Sequence, residues 1–406
     1  MNDVTSPGPG ATTAASRWVA SWAAMPQLTE PANLPPLPFT GEHLVMTDST
    51  LRQTVRVSVG GQRLRLRLAN TFGRVPLSVA AVAVALPAGG RAGVSGTEPG
   101  TTRPATFGGR RSATVPAGAQ LVSDPIDLPL PARSNLTVTL YLAQGHPSTE
   151  VTSHPGSRTT SHLLHGYHVE QTGLPGATPV EHWYFLGGLE VPASSATAAV
   201  VMLGDSLTDG RGSTTDGNDR WPDQLLDRLQ AYDTDLAVLN QGAGGNRVLN
   251  DGLGPNALAR LDRDVLAQSG VRWLVVFEGV NDIGTASATE AAQKAVTDDL
   301  ICAYDQIVTR AHAQGIRVYG ATLAPFGGHL DYDDPAGFRE ASRQAVNGWI
   351  RTSGRFDEVL DFDLAVRDPE HPRRLLAAVD TGDHLHLNPT GYRLLAEAVP
   401  VDLFRR

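Results

Sequence analysis

Cysteine is nearly absent from this 406-residue chain. Cys302 stands alone, so no internal disulfide can staple the fold, and its place in an apolar helical pattern points to a buried structural thiol rather than a nucleophile. Lysine is as scarce, Lys294 being the single one among 33 basic residues. Positive charge is in deficit, the net being −9, which argues against nucleic-acid and anionic-membrane partners. No stretch approaches the roughly 20 apolar residues that a membrane-spanning helix needs. Residues 1–16, rich in Pro, Gly, Ser and Thr, lack the basic start and apolar run of a secretory signal and read as a flexible tail. As given, the sequence suits a cytoplasmic protein, or an exported one whose native signal has been removed.

What is present is enough apolar material, 41% of residues, to build two domains without staples. From 17 to 192 the pattern is β throughout. Residues 53–59 and 63–68 alternate on either side of Gly60-Gly61, a hairpin signature with arginines on the solvent face. Further strands are expected at 77–86, 112–115, 136–142 and 183–186, divided by Gly/Pro/Ser loops, and together they suggest a β-sandwich or jelly-roll. Trp18, Trp22 and Trp183 suit core packing better than a sugar-stacking surface.

After a short linker, 196–406 alternates strand and helix. Strands are expected at 200–204, 236–239, 272–277, 317–323 and 359–362, and helices at 221–232, 256–268, 288–314, 336–352 and 390–398. Crossover helices between strands give a parallel, doubly wound sheet.

Four motifs punctuate this second half. The apolar run Val200-Val201-Met202-Leu203 stops at Gly204-Asp205-Ser206, where a buried strand of an α/β sheet would deliver a reacting group, although Asp and Ser also suit a helix cap. Asn240-Gln241-Gly242-Ala243-Gly244-Gly245-Asn246 and Gly279-Val280-Asn281-Asp282 each follow a strand. Asp383-His384-Leu385-His386 offers a base and a carboxylate to a hydroxyl nucleophile. His384 is left as a loop histidine, and the cluster with Asp380 suits a triad better than a metal site, so neither metal nor cofactor is expected.

In this order the four motifs resemble those of the SGNH hydrolases, also called the GDSL esterase/lipase family, over roughly 196–406. The β-rich first half, opening on Trp18-Val19-Ala20-Ser21-Trp22, resembles the N-terminal region of larger members. The resemblance implies a flavodoxin-like catalytic domain in which Ser206 is the nucleophile, His386 the base and Asp383 its orienting acid. The oxyanion donors would be the Ser206 N–H, the Gly245 N–H and the Asn281 amide. Asp205, Asn246, Arg247 and Glu278 are candidate substrate contacts, and Asp209 and Asn240 are further polar residues near the motifs.

The reaction expected is acyl transfer to water from a short-chain or carbohydrate-linked ester, with no partner beyond that small-molecule or carbohydrate substrate. Two alternatives are an enzyme of this scaffold turned to glycosidic bonds, with Asp205 and Glu278 as paired carboxylates, and an inactive glycan-binding protein. Oligomeric state is not fixed by the sequence.

Overall fold

The structure, a computed structural model, describes residues 17–232 and 235–405; the tail expected at 1–16 lies outside them. Five parallel strands, β1 (Ala198–Gly204), β2 (Leu236–Gly242), β3 (Val271–Phe277), β4 (Arg317–Ala321) and β5 (Glu358–Leu360), form a sheet in the order β2-β1-β3-β4-β5. This is the flavodoxin-like doubly wound order, whose switch point beside β1 is where ligands of such sheets bind.

Every residue of β1 is buried because both faces of the sheet are covered. Alternate side chains point to opposite faces of a strand, and here they enter two separate cores. Val200 and Met202 pack with Trp221, Leu225 and Leu229 of α2 (Trp221–Ala231) and with Tyr392 and Leu395 of a C-terminal helix, Pro389–Ala398. Val201 and Leu203 pack with Leu300, Tyr304 and Ile307 of a long helix, Glu290–Ala313.

That long helix buries Val296, Leu300, Ala303, Tyr304, Ile307 and Val308, the spacing of one helical face. Cys302 falls off this stripe and is exposed, contrary to the buried thiol expected from its apolar neighbours. Two other boundaries also differ. The helix expected at 256–268 runs only over Ala257–Leu261 before relaxing into a π-type turn, Asp262–Leu266. Phe362 begins a helix, Phe362–Val366, rather than ending a strand, because the Asp361 side chain caps it by accepting from the Leu364 N–H.

The first half is a multi-stranded antiparallel region, and it corrects the expected hairpin. Ser49–Arg56 pairs with Asn135–Leu142 and Ser161–His165, whereas Gly61–Ala69 pairs with Leu186–Ala193, Ile126–Leu130 and Gln120–Val122. The two alternating stretches therefore belong to different sheets. Serines hold the crossing between them. The Ser58 N–H donates to the Ser21 carbonyl, the Ser21 hydroxyl to the Val59 carbonyl (2.6 Å), and the Ser58 hydroxyl to the Val238 carbonyl of β2 (2.8 Å).

Nor is the arginine face simply solvated. Arg65 and Arg67 both pair with the buried Glu190, and the Arg65 guanidinium lies 4.4 Å from the Trp18 ring. Trp22 and Trp183 meet edge to face at 5.0 Å inside the region. The core formed by Val201 and Leu203 continues without a break into this region through Val19, Leu51, Leu66 and Val138.

Trp221 shows how much one side chain carries. It is fully buried, meets Phe362 edge to face at 5.4 Å and donates its indole N–H to Thr208 Oγ1. Trp221→Ala should cost about 3–5 kcal/mol of stability, read as a lower urea midpoint with an unchanged slope.

Candidate active site

β1 ends at Gly204 and the chain turns at once into α1 (Ser206–Asp209). Asp205 caps that turn, its carboxylate accepting from the Leu207 N–H at 2.9 Å. The cap fixes Ser206 at the first helical position, where the α1 backbone leaves its own N–H without an intrahelical acceptor. Ser206 is 5% exposed, and it reaches solvent through a cavity of about 820 Å³.

His386 comes from the loop before the C-terminal helix. The Ser206 hydroxyl lies 2.9 Å from His386 Nε2, and His386 Nδ1 lies 2.6 Å from Asp383 Oδ2. With Nδ1–H donating to the carboxylate, Nε2 is left as the acceptor for the serine proton. Asp383 is held in turn. Its Oδ1 accepts from the N–H groups of Leu385 and His386 and from the Thr381 hydroxyl. Burial alone would raise the Asp383 carboxyl, but these donors and His386 outweigh it and hold the group well below the usual carboxylate range.

For His386 the dominant effect is burial, which lowers the imidazole below its ordinary 6.5 even though Asp383 pulls the other way. The ring is therefore neutral, and able to accept, at neutral pH. His384, expected to be a bystander, donates to Asp380 at 2.7 Å, half exposed at the cavity rim.

Gly245 and Asn281 also line this cavity. Gly245 has φ +69°, and a Cβ there would come within 2.5 Å of Leu253, so only glycine fits the turn without strain. Asn281, in the short helix Val280–Thr285, donates one amide hydrogen from Nδ2 to the Asn246 carbonyl at 2.8 Å. Its other amide hydrogen remains available.

Tyr332 decides which way that amide faces. The phenol donates to Asn281 Oδ1 at 2.8 Å, so the oxygen is turned to the tyrosine and the nitrogen toward Asn246 and the cavity. Burial pushes the Tyr332 hydroxyl up to about 12, and it stays a donor at any working pH. The ring can lie there because Gly284 has no Cβ: one would meet it at 2.4 Å. No spacing in the sequence links Tyr332 to Asn281, 51 residues apart.

The four candidate substrate contacts sit elsewhere. Asp205, Asn246 and Glu278 are buried, and none of the four, Arg247 included, lines the cavity. Asn246 donates to the Leu253 and Pro255 carbonyls and accepts from Arg260, while the Arg247 guanidinium folds onto the Asp251 carbonyl. Burial pushes Asp205 up to about 7 and Glu278 up to about 8. Asn240 ties β2 to α1 by donating to the Thr208 carbonyl.

Asp209 does line the cavity, and there it meets the antiparallel region. It pairs with His154 at 2.9 Å and with Arg158 at 3.3 Å. His154 Nδ1 faces the Met25 carbonyl at 3.0 Å, so each ring nitrogen meets an oxygen, one on Met25 and one on Asp209. Burial tends to raise Asp209, but the charges of His154 and Arg158 overcome it and the group stays an anion.

The Tyr332 contact gives a test. Tyr332→Phe should lower turnover of a hydrolysable ester by about 3- to 10-fold, the worth of one neutral hydrogen bond, with KM little changed. Asn281→Ala, which removes the amide itself, should cost about 10²–10³-fold. Steady-state kinetics of the two variants side by side would measure the difference.

A family model described as GDSL-like Lipase/Acylhydrolase matches residues 202–394. No curated protein matches. Among solved structures, an acetyl xylan esterase from Geobacillus stearothermophilus is 21% identical, covering 50% of this chain and 92% of its own, with a TM-score of 0.38. The lipase/acylhydrolase from Enterococcus faecalis is 20% identical over 50% of this chain and 93% of its own, with a TM-score of 0.37. The acetyl xylan esterase AlAXEase is 21% identical over 49% and 96%, also at 0.37. Residues 202–394 of this chain are thus similar to the GDSL-like lipase/acylhydrolase family.

Proposed function

We propose that the protein is a serine esterase that hydrolyses short-chain or carbohydrate-linked carboxylic esters through an acyl-enzyme. The observation that carries this reading is the unbroken line from the Ser206 hydroxyl through His386 to Asp383, at 2.9 and 2.6 Å, opening on one cavity with Gly245 and Asn281.

In the first half-reaction His386 Nε2 takes the Ser206 proton as Oγ attacks the ester carbonyl. The carbonyl oxygen becomes an oxyanion, met by the N–H groups of Ser206 and Gly245 and by the second amide hydrogen of Asn281. The imidazolium formed is stabilised by Asp383 and returns the proton to the departing alcohol. Water then repeats the sequence on the acyl-serine and regenerates the hydroxyl. The glycosidic alternative has little support, since Asp205 and Glu278 are buried away from the cavity and cannot flank a scissile bond there.

Two measurements test the reading. Wild-type protein should turn over p-nitrophenyl acetate, and Ser206→Ala should fall by about 10⁴-fold or more; a folded wild type with no turnover of p-nitrophenyl acetate, butyrate or octanoate would sink the proposal. The second concerns pH. Because His386 must be neutral to accept and is lowered by burial, activity should be retained as pH falls to 6.5 and be lost only below it. Asp383→Asn removes the pull that raises His386, so the acid limb of the kcat profile should move to still lower pH while kcat itself drops by about 10⁴-fold.

A further inference from the structure

We infer that the turn carrying Gln27, Glu30 and Asn33 in the antiparallel region is a subsite that reads the hydroxyl groups of a neutral sugar forming the alcohol side of the ester. The inference depends on the serine-esterase reading above and adds to it the residues that choose the alcohol.

The first observation is size. A cavity of about 820 Å³ lies in the upper part of the range of roughly 300–1,000 Å³ found for ligand pockets, and a short acyl group fills little of it. The rest must take the alcohol, and part of its wall is not built by the sheet that carries Ser206. Gln27, Glu30, Asn33, Arg158 and His182 of the antiparallel region line it.

The second observation is how that wall is made. Gln27 Nε2 donates to Glu30 Oε1 at 2.5 Å and Asn33 Nδ2 donates to Glu30 Oε2 at 2.9 Å. Each carboxylate oxygen keeps a further lone pair, and each amide keeps a second hydrogen. The turn itself is anchored. The Thr29 N–H donates to the Val151 carbonyl, the Thr29 hydroxyl reaches Ser153, and the buried Tyr184 hydroxyl donates to the Asn33 carbonyl at 2.7 Å. These donors and acceptors are thus held in place before any ligand arrives, which lowers the ordering cost of binding.

Nearby, His182 donates its Nδ1–H to the Pro155 carbonyl at 2.7 Å, which fixes the ring on the cavity wall. Arg158 Nε is buried with no hydrogen-bond partner among the described residues.

The third observation is charge. The cavity carries Glu30, Asp209, Asp331 and Asp383 against Arg158 and Arg211, with Asp209 already paired to Arg158 and Asp383 bonded to His386, so an anionic alcohol is disfavoured. Closely spaced donors and acceptors suit groups that are both at once, and adjacent ring hydroxyls are such groups. An alkyl alcohol would desolvate the wall and return nothing to it.

The test compares kcat/KM for a mono-O-acetyl methyl xylopyranoside with that for ethyl acetate, whose alcohol carries no further hydroxyl. Wild type should prefer the sugar ester by about 100-fold or more, as a site built to bind hydroxyls does. Glu30→Ala/Asn33→Ala should cut that ratio by about tenfold, and Glu30→Gln, which keeps the side chain's volume, should lower it in the same direction. p-Nitrophenyl acetate turnover by each variant reports that the site is still assembled. The subsite is overturned if wild type cleaves p-nitrophenyl acetate yet treats both esters alike, or if the double variant keeps the preference within twofold. A wild type inactive on p-nitrophenyl acetate overturns the esterase reading itself, and the subsite with it.

Discussion

One guanidinium holds the candidate site together. The side chain of Arg260 has no exposed surface. Nη1 donates to the Gln241 carbonyl at 2.7 Å, Nη2 to the Gly204 carbonyl at 3.1 Å and to Glu278 at 3.4 Å, and Nε to Asn246 Oδ1 at 3.0 Å. Gly204 precedes the turn of Ser206, Gln241 and Asn246 flank Gly245, and Glu278 lies three residues before Asn281. All three proposed oxyanion donors therefore hang from backbone that one cation ties down. A buried charge is tolerated only where it is fully bonded, and here two of its bonds go to carbonyls at strand ends, Gly204 and Gln241, and two to the side chains of Asn246 and Glu278.

Carboxyl groups crowd around this cation, and their environments sort them. Asp264 pairs with Arg260 and Arg263. Burial pushes Asp205, Asp282 and Glu278 up, to about 7, 6 and 8. Two of them still serve as acceptors for backbone. Asp205 caps α1, and Asp282 accepts from the N–H groups of Val248 and Leu249, pinning the loop that follows Gly245. The residues nearest the motifs in sequence thus build the scaffold beneath the cavity rather than its surface, which explains why Asp205, Asn246 and Glu278 were attractive as substrate contacts and do not reach it.

The parallel sheet was legible because β1 and β3 are largely apolar on both faces, and because three of the four motifs sit just past the end of a strand. The constellation of Ser206, Asp383 and His386 was legible for the same reason: small polar motifs in fixed order survive translation into space. Alternation at 53–68 carried less. It states that each stretch has a wet and a dry face, but a hairpin and a crossing between two sheets satisfy it equally, and the serines at 21 and 58 that decide the matter carry no periodic signal. Cys302 failed similarly, since apolar neighbours on both sides conceal which of them faces the core. Tyr332 and Arg260 act across 51 and up to 56 residues, and a single chain without repeats offers no pattern at that range.

The antiparallel region cannot be regarded as a detachable appendage. Its core is continuous with the one beneath β1, and its buried His154 meets Asp209 at 2.9 Å, three residues beyond Ser206 on the same helical turn. The α1 turn is thereby clamped from two sides, by Arg260 through Gly204 below and by His154 through Asp209 from the neighbouring region. The serine whose position must be exact to a few tenths of an ångström sits on that doubly held turn, while the groups that would meet the alcohol lie on a separate turn fixed by Tyr184 and Thr29. Changes in that wall can therefore be accommodated without moving Ser206, so in the proposed esterase the fold would separate bond cleavage from the choice of ester.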